Sequence, residues 1–422
     1  MGGEDSTVGL GGLIQNGGHG HLSSHYGLAS DSVYQVNVVT PSGHRLVANN
    51  AQSEDIFWAV RGGGGGQYGV VTEFVLKTHP VPQNVVPGGL VFRSSPNSTT
   101  GESASWSAVA ETASLIPDFM DSGLTVIVMA ATKEKAMSMM GLKEAVPGVA
   151  ATVSLTGFNM TSEQMNSTID WLESRVIDAS NKTHLVISRQ PPSSQSYWSY
   201  NKPKPLSSQV AGSGGLMTSR LLGRNELTNI ARESLISYLQ QILASQDLTA
   251  GSMLLFGLQS GPGPASTPEG MRGSVLPARR STYAHVMAYG ASVNATGDPG
   301  ETLAAAARWH ELVTEPVWRN WAPDTGAYMN EGNAFTSTWK HDFYGENHDR
   351  LLEIKRRYDP SESMFVWSGV GSRDVGLRSE QRPSLPNHPD LTRWKVMYLR
   401  LLWEVLEMDV HLTLYAHILA KK

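Results

Sequence analysis

Cysteine is absent from this 422-residue chain, which excludes disulfides, thiolate zinc sites and thiol nucleophiles. An excess of basic charge is absent as well. The 33 Lys and Arg stand against 38 Asp and Glu, a net charge of −5, so no nucleic-acid-binding face is expected. No Gly-x-Ser-x-Gly elbow occurs, which removes the commonest serine-hydrolase signature. No stretch is apolar enough to span a bilayer: the best, 394–419, is interrupted by Arg400, Glu404, Glu407 and Asp409. The opening MGGEDS carries no signal-peptide pattern. It fits a myristoylation consensus formally through Ser6, but a run inside a glycine turn is the plainer reading. With 40% hydrophobic and 17% charged residues, the chain belongs with globular proteins rather than disordered ones.

Glycine is what the chain has in abundance, at 42 residues, crowded into the first 70 positions. Thr7-Val8-Gly9-Leu10-Gly11-Gly12 is followed by Gly17-Gly18-His19-Gly20 and then by Tyr26-Gly27-Leu28-Ala29-Ser30-Asp31. Such spacing lets backbone N–H groups converge on an anion such as a pyrophosphate, and it equally suits tight turns. Gly64-Gly65-Gly66-Gln67-Tyr68-Gly69 formally matches the dinucleotide fingerprint. A dinucleotide site needs that motif between a strand and a helix, whereas here it follows a helical pattern and opens a strand. An NAD site is therefore rejected. His19, His21 and His25 are close in sequence, but the glycine-loop setting and the lack of a suitably spaced carboxylate other than Asp31 argue for no metal.

Periodicity supplies the coarse organisation. Strands are expected at 33–39, 45–47 and 70–76, with a helix at 54–61 capped by Ser53 and stopped by Gly62. The proline-rich His79–Pro82 marks a boundary. Beyond it, strands at 124–130, 151–155, 253–258 and 283–289 alternate with helices at 162–176, 226–245 and 301–317. This pattern predicts an α+β lobe, an antiparallel sheet covered by helices. A helix over 343–358 carries the stripe Leu351, Leu352, Ile354, Tyr358, with Glu346/Arg350 and Glu353/Arg357 at i,i+4.

Two long motifs carry a resemblance. GGLIQNGGHGHLSSHYGLASDSV with VVTPSGHRLVANNAQSEDIFWAVRGGGGGQYGVVTEFVLKTHP stands at one end, and FYGENHDRLLEIKRRYDP with GVGSRD at the other. Together they resemble the berberine-bridge-enzyme-like FAD-linked oxidoreductases of the vanillyl-alcohol oxidase superfamily, in the fungal style, over about residues 1–374. The resemblance implies part of a PCMH-type FAD-binding domain at 1–82 and a substrate-binding α+β domain at 83–324. It further implies a C-terminal segment at 325–374 that returns to the FAD domain, with an atypical tail at 375–422. It implies FAD held by Thr7, Gly9, Gly11, Gly12, Gly18, His19 and Gly20, with the segment from Gly62 to Val71, Gly69 and Val71 in it, bordering the adenosine half and Asn347 near the isoalloxazine. A base is implied at Ala327-Tyr328-Met329-Asn330-Glu331. Tyr328 is the first choice and needs a nearby cation to lower its pKa; Glu331 is the second, on the opposite side if the segment is extended.

Departures from the pattern shape the expectation. Relatives carry an earlier subdomain whose His bonds the flavin, and bicovalent members carry a Cys where Asp5 stands. After Asp374 the family's ending is replaced, so 375–422 reads as translated non-coding sequence more readily than as an added amphipathic helix. The function implied is an FAD-dependent oxidase acting on an alcohol, sugar or specialised metabolite with oxygen as acceptor. The alternative is a truncated fragment or pseudoenzyme that binds no flavin. Sequons at Asn97, Asn159, Asn166, Asn181 and Asn294 favour a secreted or vesicular route like that of full-length relatives. A membrane partner is not expected.

Overall fold

The computed structural model describes residues 2–3, 8–95, 98, 100–181, 185–202, 215–246, 251–258, 261–292 and 298–372. Thr7, Asp5, Asn97, Asn294 and the tail from 373 lie outside them. Two antiparallel sheets dominate. Alternation of Val36 and Val38 with more exposed neighbours makes β1 (Val33–Val39) a one-face-buried strand. It is the centre of a three-stranded sheet, between β2 (Arg45–Asn49) and β3 (Val70–Leu76). On β3, Val70, Val75 and Leu76 stay exposed.

The second sheet has seven strands: β4 (Val85–Ser94), β5 (Thr125–Thr132), β6 (Val149–Phe158), β7 (Leu185–Gln190), β8 (Gly215–Leu222), β9 (Met253–Leu258) and β10 (Ala284–Ser292). Their order is β7-β4-β6-β5-β9-β10-β8, and every pairing is antiparallel. Period-2 alternation assigns the two faces. Val126, Val128, Leu254, Phe256, Ala284 and Val286 enter a core with the helices Gly101–Asp121, Ser162–Ala179 and Arg232–Ala244. The intervening Ile127, Leu255, Gly257 and Met287 are left for the opposite face. Residues Ala327 to Val370 join the other core instead, where Trp339, Phe343, Tyr344, Leu351 and Ile354 pack with Val36, Phe57 and Tyr68. Both sheets lie within one unit, Met1–Arg373.

Several local expectations need correction. Ser53 precedes the helix Glu54–Ala59, but in the left-handed conformation (φ 49°) and without a side-chain cap bond. The 226–245 helix is interrupted, running as Arg224–Leu227 and Arg232–Ala244. The 301–317 helix is a longer assembly, Pro299–Trp309 and Glu315–Trp321 joined by a wide turn at His310–Thr314. The last helix is Tyr358-terminated but begins at His348. Its arginines face elsewhere: Arg350 lies over the Trp58 ring at 3.8 Å, and Arg357 pairs with Asp55.

Candidate active site

The cavity-facing side of the seven-stranded sheet meets the glycine loops across a cavity of about 610 Å³. Val8, Gly9, Gly12, Leu13, His19 and Gly20 form one wall, and Ile127, Leu255, Gly257 and Met287 form the other; Tyr328, Asn330 and Glu331 close it at one edge. The helix Leu10–Gln15 starts in the glycines, and Gln15 O accepts the N–H groups of Gly62 and Gly64 at 3.0 Å each. Two N–H groups of the Gly62–Gly66 run are thereby tied to the loop.

The glycines divide into two kinds. A Cβ at Gly18 would stand 2.8 Å from Leu13 and Ala29, and one at Gly62 2.3 Å from Val275, so these positions serve close packing at positive φ. At Gly9, Gly11 and Gly12 a Cβ would meet nothing within 4 Å. Internal packing thus gives no reason for glycine there. Bare backbone beside a cavity is what close approach of a planar, phosphate-bearing group asks for, so the residues present fit a flavin. Of the implied contacts, Gly11, Gly18, Gly69, Val71 and Asn347 are not among the residues that line this cavity. Gly69 is explained by Val38 and Val39, 2.7 Å from its would-be Cβ, and Val71 pairs with Val38 in the sheet. Asn347 donates to the carbonyls of Ser274 (3.3 Å) and Val275 (3.1 Å), fastening that loop.

The edge of the cavity carries the chemistry. Tyr328 precedes a 3-10 turn, Met329–Glu331. Three residues per turn bring positions 328 and 331 to the same side, so the extended-chain expectation that Glu331 turns away from Tyr328 is corrected. Asn330 Nδ2 donates to Tyr328 Oη at 2.7 Å and to Gly12 O at 3.3 Å. Arg279, almost fully buried, sets its guanidinium 4.3 Å from the Tyr328 ring centroid. That is the cation a tyrosine base would need, yet burial weighs more and pushes the phenol above its ordinary pKa.

Glu331 is flanked by two imidazoles. His285 Nδ1 lies 3.1 Å from its Oε2 and His19 Nε2 lies 3.7 Å from the same atom. The closer pair is within hydrogen-bond length but not ideally aligned. Burial alone would raise this carboxyl; the imidazoles outweigh it and hold it well below the usual carboxylate range. Burial in turn lowers His285, with Glu331 opposing, so the imidazole beside the carboxylate is neutral. His285 was not singled out in the sequence. Its signal is a lone imidazole in the apolar strand Ala284-His285-Val286-Met287, on the Met287 side.

The three clustered histidines diverge. His21 sits against Tyr200, and His25 against Ser24 and Phe158. Only His19 reaches the cavity. Among the described residues, metal-capable atoms gather instead at His19, His285 and Glu331, within 4.8 Å of one another. The buried guanidinium of Arg279 interacts with this same carboxylate and opposes a second cation there.

Comparison with known proteins finds similarity at both ends of the chain and along its length. A profile described as berberine and berberine like matches residues 327–365, and one described as FAD binding domain matches residues 2–49. The chain is 30% identical over 381 residues to the VAO-type flavoprotein oxidase VAO615 of Thermothelomyces thermophilus, covering 88% of this chain and 60% of that protein. It is 30% identical over 386 residues to the bifunctional decalin synthase calF of Penicillium decumbens, again covering 88% and 60%. Among solved structures, the VAO-type flavoprotein MtVAO713 from Myceliophthora thermophila C1 aligns with a TM-score of 0.73 at 22% identity, over 88% of this chain and 62% of that one. Berberine bridge enzyme from Eschscholzia californica aligns at 0.62 and 18%, over 87% and 71%. The chain spans about three-fifths of the length of these two curated relatives.

Proposed function

This chain is a relative of the berberine-bridge-like, VAO-type flavoproteins, and from that kinship we propose that it works as an FAD-dependent oxidoreductase. The observation that carries the reading is the cavity itself. It lies between glycines whose Cα atoms face empty space and an edge where a carboxylate, two imidazoles and a phenol converge. When bound, FAD supplies the acceptor for a hydride leaving a substrate carbon. Gly9 and Gly12, with His19 and the backbone of Gly20 on the same wall, are the residues that would hold it.

The chain's own residues bind and orient the substrate. Of the alcohols, sugars and specialised metabolites open to such an enzyme, the walls favour an apolar body with one hydroxyl. Val8, Leu13, Ile127, Leu255 and Met287 offer a sugar no side-chain hydrogen-bond partners. Each sugar hydroxyl buried there unpaired would cost about 1–3 kcal/mol. The polar edge at Tyr328, Asn330 and Glu331 receives the hydroxyl to be oxidised. Oxygen as electron acceptor and a secreted or vesicular location complete the proposal. The second draws support from the exposed sequon residues Asn159, Asn166 and Asn181.

A second reading, a chain that binds no flavin, draws on the exposed Val70, Val75 and Leu76 of β3. The absorption spectrum of the purified chain, taken after incubation with FAD and again after acid precipitation, separates the two. A flavin band released by acid is expected. Absence of any bound flavin at saturating FAD would establish the second reading.

A further inference from the structure

Resting on the oxidoreductase reading, we infer that the apolar body of the substrate extends out of the cavity onto a methionine-lined shelf of the seven-stranded sheet. The sheet register locates this shelf. Along β9, Gly257 and Leu255 line the cavity, and Met253 is the next residue on that face. Leu255 pairs with Met129 of β5 on one side and with Met287 of β10 on the other. One step further on the same face of β10 stands Tyr289, opposite Met217 of β8. From Gly257 to Met253 the strand advances roughly 13 Å, and the stretch that lines the cavity covers about half of that.

The two faces of these strands differ in composition. Toward the helices stand Val126, Val128, Leu254, Phe256 and Val286, side chains suited to a fixed core. Toward the other side stand Met129, Met217, Met253 and Met287. Methionine is not a strong strand former; it contributes an unbranched, polarisable side chain that re-packs against varied shapes. Exposure follows the same division. Val128, Leu254 and Val286 are fully buried, whereas Met129, Met217 and Met253 are partly exposed and Tyr289 is 38% exposed. Ala131 opposes both Met253 and Ala150 in the sheet. Met139 and Met140 of the helix Lys133–Met140 pack, with Met253, against these two alanines. The helix therefore lies on the shelf side and bounds it at that end.

Continuity with the cavity selects the occupant. Leu255 and Met287 belong to the cavity wall and touch the shelf, so a molecule with its hydroxyl at the Tyr328–Glu331 edge reaches Met253 along one apolar surface. The substrate class that follows is an alcohol on an elongated apolar skeleton, a long aliphatic chain or a linear polycycle. A short alcohol ends at Leu255 and leaves the shelf wet. Flexible methionines accept more than one skeleton within this class.

The test is NMR of the chain labelled with ¹³C at its methionine methyl groups, at saturating FAD, with 1-butanol and 1-decanol as probes. 1-Decanol should shift the signals of Met129, Met217 and Met253 as well as that of Met287, and 1-butanol should leave the first three in place. Affinity should rise about two- to fourfold per methylene from 1-butanol through 1-decanol. Met129→Gln combined with Met253→Gln should weaken 1-decanol by about tenfold or more and change 1-butanol by less than about twofold. Shelf signals unmoved by saturating 1-decanol overturn the proposal, and so does an affinity that stops rising at 1-hexanol. Shelf signals that move with protein concentration in the absence of alcohol also overturn it, because a second copy of the chain then covers the face. Should the double variant fail to fold, the wild-type signals still decide. A chain that shows the shifts but takes up no flavin refutes the oxidoreductase reading instead and leaves the shelf as an apolar binding site.

Discussion

Arg280 grips Asp31 with both arms of its guanidinium, Nη1 to Oδ2 at 2.7 Å and Nη2 to Oδ1 at 2.9 Å. The pair joins the Tyr-Gly-Leu-Ala-Ser-Asp motif to the turn before β10. Asp31 Oδ2 also accepts from Leu28 N at 3.0 Å and Thr267 Oγ1 at 3.1 Å. Both side chains are nearly buried, at 12% and 3% exposure. The neighbouring Arg279 is thereby placed under Tyr328, so this ion pair sets the geometry of the cavity edge.

Removing one partner of such a pair strands the other charge in a desolvated site. Asp31→Asn should lower unfolding stability by about 3–5 kcal/mol, read from urea midpoints at constant m-value. Arg280→Met combined with Asp31→Leu should recover much of the loss, since it removes both charges. A single-variant cost below about 1 kcal/mol would mean that the pair is solvated in solution.

Much of this arrangement was legible in the sequence, and the rest was hidden for physical reasons. The strands at 33–39, 70–76 and 253–258 show clear patterning and appear where expected. The helix Gly101–Asp121 was missed because Gly, Ser and Thr positions and an internal Pro117 weaken its local signal. Burial on several sides holds it. Tyr328 and Glu331 were found through their motif, but the 3-10 turn that brings them together depends on tertiary contacts. His285 went unnoticed because its partner Glu331 is 46 positions away in the chain, and only the sheet register brings the two together.

The two kinds of glycine predict opposite phenotypes. Gly12→Ala places its Cβ in open space and should leave stability unchanged or raise it by up to about 1 kcal/mol. The same methyl should weaken FAD binding, measured by quenching of flavin fluorescence. Gly62→Ala, driven into Val275 at positive φ, should instead lower the melting temperature. Equal effects of both variants on stability would remove the case for a cofactor at Gly12.

Tyr328→Phe separates holding from proton transfer. It deletes the oxygen that accepts from Asn330, a bond worth about 0.5–1.5 kcal/mol, so the oxidation rate should fall by no more than about tenfold. Because burial keeps the phenol protonated, the pH profile should not move. A loss of a thousandfold, together with disappearance of a basic limb, would make Tyr328 the base.

Glu315 gives a prediction about stability and pH. It is 3% exposed, accepts from Asn333 Nδ2 at 3.1 Å, and is pushed up to about 7, chiefly by burial. Its folded pKa therefore lies above the unfolded value, near 4.3. Between the two values the native chain binds the extra proton, so stability falls as pH rises through this window. The contribution is full below about pH 4 and lost above about pH 7, an effect of roughly 4 kcal/mol. Glu315→Gln keeps an acceptor for Asn333 and cannot ionise. Its urea midpoint should therefore vary less between pH 5 and pH 8 than that of wild type, with the variant gaining most at pH 8. Parallel pH dependence in the two proteins would show that Glu315 is already ionised in the folded chain and that water or Arg319 meets its charge.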